Sequence, residues 1–100
     1  MYRYNATCAR VIDGDTFVAR VALGFYVSCD VKVRIHGVNS PEHDAASTAF
    51  LKNMIEERPL IIESFHDRRS FERWVCDVWV ADQLVADLII AAGHGVEFMR

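Results

Sequence analysis

Residues 31–55 read VKVRIHGVNSPEHDAASTAFLKNMI, and the hydrophobic period changes once along them. Val31, Val33 and Ile35 alternate with Lys32, Arg34 and His36, the period of two that marks a half-buried strand. Gly37 breaks the run. Ser40-Pro41-Glu42 then reads as a helix start, with Ser40 capping and Pro41 in the first turn; Asp44 is a rival cap. From Ala45 the period becomes helical. Ala46, Phe50 and Met54, with Leu51 and Ile55 beside them, form one apolar stripe, and Pro59 stops the helix near Arg58.

Strands flank this unit on both sides. Upstream, a first strand runs to Val11 and Ile12 and ends at the turn Asp13-Gly14, a strong hairpin signal between apolar runs. The next strand starts at Asp15, with Phe17, Ala19 and Val21 on one face and Thr16, Val18 and Arg20 on the other. Leu23-Gly24-Phe25 reads as the following turn. Downstream, Leu60 to Phe65 and Arg73 to Val80 read as two more strands, the second with Trp74, Cys76, Val78 and Val80 on one face. Leu84, Val85, Leu88, Ile89 and Ala92 mark a second helix ended by Gly93. Five strands with a helix between the third and fourth, and a second helix after the fifth, predict a mainly β chain with an OB-fold barrel. Phe17, Val33, Ile35, Val78 and Leu88 are its expected core.

The bulk properties narrow the function. One hundred residues make a single domain, 1–100, with about 60–65% of the unfolded surface to bury. A net charge of −3 argues against a protein held on nucleic acid by charge alone. It leaves room for an enzyme whose own carboxylates hold a cation that meets the phosphate. Cys8, Cys29 and Cys76 show no CxxC spacing, which speaks against zinc; they read as reduced residues of a cytoplasmic protein. No apolar leader precedes the patterned sequence, and the stretch from Leu84 to Ala92 is interrupted by Asp87 and too short to span a bilayer. No membrane role is expected.

The polar residues gather where the pattern breaks: Asp13-Gly14-Asp15-Thr16, Val33-Arg34-Ile35-His36-Gly37-Val38-Asn39-Ser40-Pro41-Glu42, and Arg73 before Trp74. In this combination and spacing, over about residues 6 to 98, the sequence resembles the staphylococcal-nuclease (thermonuclease) family. The resemblance implies a nuclease that hydrolyses DNA or RNA, single strands preferentially, with Ca²⁺ bound and 3′-phosphate ends left. Mg²⁺ or another divalent cation is the alternative metal. It implies Asp15 as a carboxylate ligand, Asn39 where the family commonly has a second aspartate, and Ser40 as a carbonyl ligand. It also implies Glu42 as the residue that positions or deprotonates water, and Arg34 and Arg73 as the grip on the scissile phosphate.

These residue types suit that chemistry on their own account. Carboxylate, amide and carbonyl oxygens hold hard cations. Arginine forks onto phosphate oxygens and stabilises the charge building there. A carboxylate orients or deprotonates water.

Each residue also has a plainer reading. Asp13 and Asp15 suit a turn, Glu42 suits the first turn of a helix, and Arg34 and Arg73 suit a solvated surface. His36, His43, His66 and His94 lack metal-ligand spacing and read as surface residues. Arg68 and Arg69 read as a solvated loop, and Trp74 and Trp79 as packing residues. Against the family pattern, Asn39 removes a charge, the loop before the first helix is short, and the family's third helix has no counterpart. A partner subunit, in a homodimer, is one cover for that flank. The alternative to an enzyme is a catalytically weak or inactive module of the same fold that binds nucleic acid or protein.

Overall fold

The computed structural model describes residues 2–41, 44–64 and 74–97. In chain order they form β1 (Tyr2–Asp13), β2 (Thr16–Gly24), β3 (Val27–Ile35), β4 (Val38–Asn39), α1 (Ala45–Ile55), β5 (Pro59–Ser64), β6 (Trp74–Val80), β7 (Gln83–Leu84), α2 (Val85–Ala91) and β8 (Val96–Glu97). The five long strands lie in the order β3-β2-β1-β5-β6. The sheet closes on itself where β3 meets β6 in parallel, Val33 beside Trp74 through Ile35 beside Cys76. This is the five-stranded OB-like barrel with two helices that the alternating pattern predicts.

β1 makes closure possible because one strand serves two neighbours. Its first half, Tyr2 to Thr7, pairs with β5, and the stretch from Ala6 to Asp13 pairs with β2. Irregularities between Cys8 and Arg10 and between Val11 and Asp13 bend it. Bulges of this kind coil a strand enough to turn a sheet into a barrel.

Among the described residues the buried apolar side chains gather into a core cluster. Phe17, Ala19, Val33, Ile35, Ile62, Cys76 and Val78 fill the barrel, Leu51 and Ile55 enter from α1, and Val85, Ala86 and Ile89 enter from α2. Three helix details differ from the sequence reading. The cap of α1 is Asp44, whose carboxylate accepts the Ser47 amide at 3.1 Å and the Ser47 hydroxyl at 2.6 Å. Ser40 lies four residues too early to cap Ala45, and its amide serves Asp15 instead. The inward row of α1 is Ser47, Leu51 and Ile55, four apart, so Phe50 and Met54 flank it half-buried and Ala46 is exposed. On α2 the inward face is Val85, Ala86 and Ile89; Leu88 is only half-buried, because a helix starting at Val85 turns it to the margin.

Cys8 and Cys76 are buried and Cys29 is exposed, all three as free thiols. Among the described residues no helix is long and apolar enough to cross a membrane.

Candidate active site

Asp13 ends β1 and pairs with Thr16 at the start of β2, so Gly14-Asp15 is the two-residue hairpin connection, one residue later than the Asp-Gly reading. Gly14 does not take a left-handed φ there. It is small because a Cβ at this position would stand 2.6 Å from Ser40 Oγ and 2.7 Å from Ser47 Cβ. The hairpin is thereby pressed against both the β4 exit and the first turn of α1.

That closeness buries Asp15 to 7% exposure. Its Oδ1 accepts the Thr16 hydroxyl at 3.0 Å and its Oδ2 accepts the Ser40 amide at 3.0 Å. Arg34 Nη1 lies 3.6 Å from the same Oδ2. The guanidinium also donates from Nη2 to Asn39 Oδ1 at 3.1 Å, and from Nη1 to the Val38 carbonyl at 3.1 Å and the Ile35 carbonyl at 3.3 Å. Register accounts for the meeting, since Thr16 sits opposite Arg34 in the β2–β3 ladder. Asp15, Arg34, Asn39 and Ser40 therefore converge at one end of the barrel. Glu42 and Arg73 lie outside the described residues, as do His43, His66, Arg68 and Arg69. The strand that follows Arg73 begins at Trp74, beside Val33.

The donor atoms here suit a hard cation: a carboxylate, an amide oxygen, and the Ser40 hydroxyl, which is buried without a hydrogen-bond partner. Charge is scarce, however. Among the described residues no group of three or more His, Cys, Asp or Glu side chains gathers. The negative charge of Asp15 is opposed by the positive charge of Arg34 beside it. Such a cluster can hold a cation only with help from neutral oxygens or from an incoming anion.

Two neighbours went unnoticed in the sequence. A cavity of about 290 Å³ opens beside the cluster, lined by Asn39, Ser40, Pro41, His94 and Gly95 among others. His94 is half-buried rather than a surface residue. Its ring stacks on Phe50 with centroids 4.7 Å apart, and its Nδ1 stands 3.4 Å from Ser47 Oγ. Ser47 is 2% exposed and links His94 to Asp44, whose carboxyl is held below its usual range by the Ser47 hydroxyl, then the Ser47 amide, with His94 adding a smaller pull. The only sequence signal for Ser47 was its place at the head of the Ser47-Leu51-Ile55 row. His36 is likewise half-buried, with Nδ1 3.2 Å from Asp77 Oδ1. Trp74 packs against the core, whereas Trp79 lies half-buried outside it beneath the Arg3 guanidinium, 5.4 Å from the ring centroid.

A second cavity, about 490 Å³, is lined by Ala6, Arg20, Leu60, Trp79 and their neighbours and includes none of the candidate residues. Its greater size does not by itself move the chemistry there, because its wall is mostly apolar and carries one carboxylate, Asp82. No protein-family model matches this chain and no curated protein matches it in sequence, so the function of the Asp15–Arg34–Asn39–Ser40 cluster has to be argued from its own atoms.

Proposed function

We propose that this chain is a metal-dependent phosphodiesterase cutting DNA or RNA, single strands more readily than duplex. The observation that supports this reading is the convergence of Asp15, Arg34, Asn39 and Ser40 around one guanidinium at the barrel's end. In this reading Asp15, Asn39 and Ser40 hold the cation. A bound Ca²⁺ supplies charge neutralisation at the phosphate and a lowered pKa for an attacking water. Arg34 keeps Nη1 on the backbone carbonyls of Val38 and Ile35, which fixes the plane of its fork, and turns Nη2 from Asn39 to a phosphate oxygen. Glu42 orients or deprotonates the water, and Arg73 adds a second fork.

A consequence follows from Arg34 and a cation drawing on the same two oxygens. In the free protein the Asn39 amide oxygen is already taken by Arg34. A phosphate that draws Arg34 away frees that oxygen and adds negative charge, so nucleotide and Ca²⁺ bind better together than apart. Calorimetric titration of the wild type, Asn39→Asp and Asn39→Ala, with and without a non-cleavable nucleotide, tests this. The expected order of Ca²⁺ affinity without nucleotide is Asn39→Asp, wild type, Asn39→Ala, with the wild type gaining most from nucleotide. Equal affinity in all three removes residue 39 from the ligand set.

The second reading, a nucleic-acid or protein-binding module of the same fold without catalysis, is favoured by one observation. The cluster's described residues carry a single carboxylate, Asp15, set against Arg34. It predicts binding that is indifferent to divalent cations.

A further inference from the structure

Phe17, Ala19 and Val21 of β2 point into the barrel, so Thr16, Val18, Arg20 and Ala22 lie on its outer face, and their ladder partners share that face. Opposite them on β3 stand Arg34, Lys32, Asp30 and Ser28. On β1, Arg10 stands beside Val18 and Thr7 beside Arg20. Arg34, Lys32, Arg10 and Arg20 therefore share one face. It begins at the Asp15 cluster and runs along β3 for about 20 Å to Ser28. Arg10, Arg20 and Lys32 are exposed on it.

Positive charge is concentrated on this part of the chain. Residues 2–35 carry Arg3, Arg10, Arg20, Lys32 and Arg34 against Asp13, Asp15 and Asp30, a local excess in a chain of net charge −3. Asp30 accepts Arg20 Nε at 2.9 Å and Arg20 Nη2 at 3.1 Å, which fixes the guanidinium and leaves Nη1 out of the pair. The Asp30 carboxyl is held below its usual range by that hydrogen bonding first and by Arg10 more weakly, so the Arg10 charge reaches the same patch.

The face continues into the cavity of about 490 Å³. Thr7 pairs with Pro59, and two residues along, Asn5, Ile61 and Trp79 stand side by side across β1, β5 and β6. Arg20, Ala22 and Ser28 line the cavity from β2 and β3, and Ile61, Trp79 and Asp82 line it from beyond β1. Its volume lies in the range of small-ligand sites. It combines a half-buried indole, a polar edge and a guanidinium already on the cationic face.

A row of cations alone suits any polyanion. A row of cations leading into a hollow with an indole in its wall suits a chain that alternates phosphates with flat bases. A duplex keeps its bases stacked on one another and has none to offer the hollow.

We infer that a single-stranded polynucleotide lies along this outer face, its phosphates on Lys32, Arg10 and Arg20 and one base in the cavity against Trp79. The inference rests on the phosphodiesterase reading for what occupies the Asp15 end, and it extends the substrate well beyond the bond that is cut.

Equilibrium binding of an oligothymidylate of about 12 nucleotides, in chelator so that nothing is cut, is the test. The wild type is expected to bind it more tightly than a duplex of the same length, and less tightly as salt rises. Lys32→Ala and Arg10→Ala, at exposed positions, are each expected to lower the slope of log affinity against log salt by about 0.7. Lys52→Ala, exposed on α1, is expected to leave the slope unchanged. Trp79→Ala is expected to weaken binding roughly 5- to 150-fold. Because that side chain is half-buried, fluorescence of milder variants accompanies it. In Trp74→Phe the oligonucleotide is expected to quench the indole of Trp79; in Trp79→Phe, where Trp74 is the indole left, it is expected to change nothing. Slopes indifferent to Lys32 and Arg10, quenching carried by Trp74, or equal competition by an acidic peptide overturns the inference. Binding as expected with no cleavage once Ca²⁺ is added upholds the surface and sinks the phosphodiesterase reading. Cleavage by a protein whose affinity ignores Lys32, Arg10 and Trp79 does the reverse.

Discussion

Replacing Gly14 by alanine tests how the hairpin, the β4 exit and α1 are pressed together. The added Cβ stands 2.6 Å from Ser40 Oγ, 2.7 Å from Ser47 Cβ and 3.0 Å from Ser40 Cβ. Favourable carbon contacts begin near 3.5–4.0 Å, so these gaps must open by roughly an ångström. The Ser40 hydroxyl has no hydrogen-bond partner to hold it, but the two Cβ atoms do not yield freely. Ser47 is held by Asp44 through two bonds, and Ser40 is held by its amide on Asp15. Overpacking of this kind costs about 1–3 kcal/mol. Losing the Ser40 amide bond to the Asp15 carboxylate adds about 1.5–3 kcal/mol where the loop gives way. Gly14 has no left-handed φ, so alanine fits the backbone and recovers about 0.4–1 kcal/mol from the unfolded chain. The balance is a loss of about 1.5–5.5 kcal/mol. Guanidinium unfolding monitored by tryptophan fluorescence, with an unchanged slope, reads it directly. Combining Gly14→Ala with Ser40→Gly, which removes two of the three clashes, should recover part of the loss. A Gly14→Ala protein as stable as the wild type would refute the close approach and, with it, the geometry that buries Asp15.

Three further outcomes are expected. Ile35→Ala, at a fully buried barrel position, should lower stability by about 2–5 kcal/mol in the same unfolding assay. Asp44 has its pKa lowered in the fold by Ser47, so its contribution is present above the unfolded value of about 3.9 and disappears as pH falls through the lower folded value; Asp44→Asn should therefore flatten the acid limb of a stability-against-pH curve. Burial, helped by Glu56, pushes the Cys8 thiol up to about 11, and burial, with Asp77 adding and Ser64 opposing, pushes Cys76 up to about 12. A thiol reagent at about pH 8 should therefore modify Cys29 alone in the native protein and all three cysteines only after unfolding.

Much of the barrel was legible because its strands alternate cleanly. Phe17, Val33, Ile35 and Val78 carry the period of two, and all are fully buried. The helix between the third and fourth strands was legible from one change of period. Its cap was not settled, because Ser40 and Asp44 are both good capping residues and only tertiary contacts assign Ser40 to Asp15. Leu88 was misplaced because a helix as short as α2 gives a stripe too brief to fix its phase. The β4–β8 pair, two residues a side, leaves no periodic trace. At the candidate site, the sequence named the four residues that meet, but not the partners they meet through. That Arg34 joins Asn39 and leans on Asp15 depends on the β2–β3 register. The places of Ser47 and His94 depend on how α1 packs on the turn after α2, which no local spacing records. The turn near Leu23-Gly24-Phe25 was legible and lies at Phe25-Tyr26, but the exposure of every residue from Ala22 to Asp30 was not, because no local pattern tells where the barrel ends.

The central claim is that Asp15 and its neighbours cut a phosphodiester with a cation's help, and the most direct measurement is cleavage of an end-labelled single-stranded DNA. With Ca²⁺ the wild type should cut it, a chelator should stop the reaction, and added Ca²⁺ should restore it. Asp15→Asn should be inactive at every Ca²⁺ concentration. Arg34→Lys, which keeps the charge and loses the fork, should turn over roughly 10²-fold more slowly with an unchanged circular dichroism spectrum. Cleavage that persists in chelator, or that survives Asp15→Asn at the wild-type rate in a folded protein, would contradict the assignment of this cluster as a metal-dependent phosphodiesterase site.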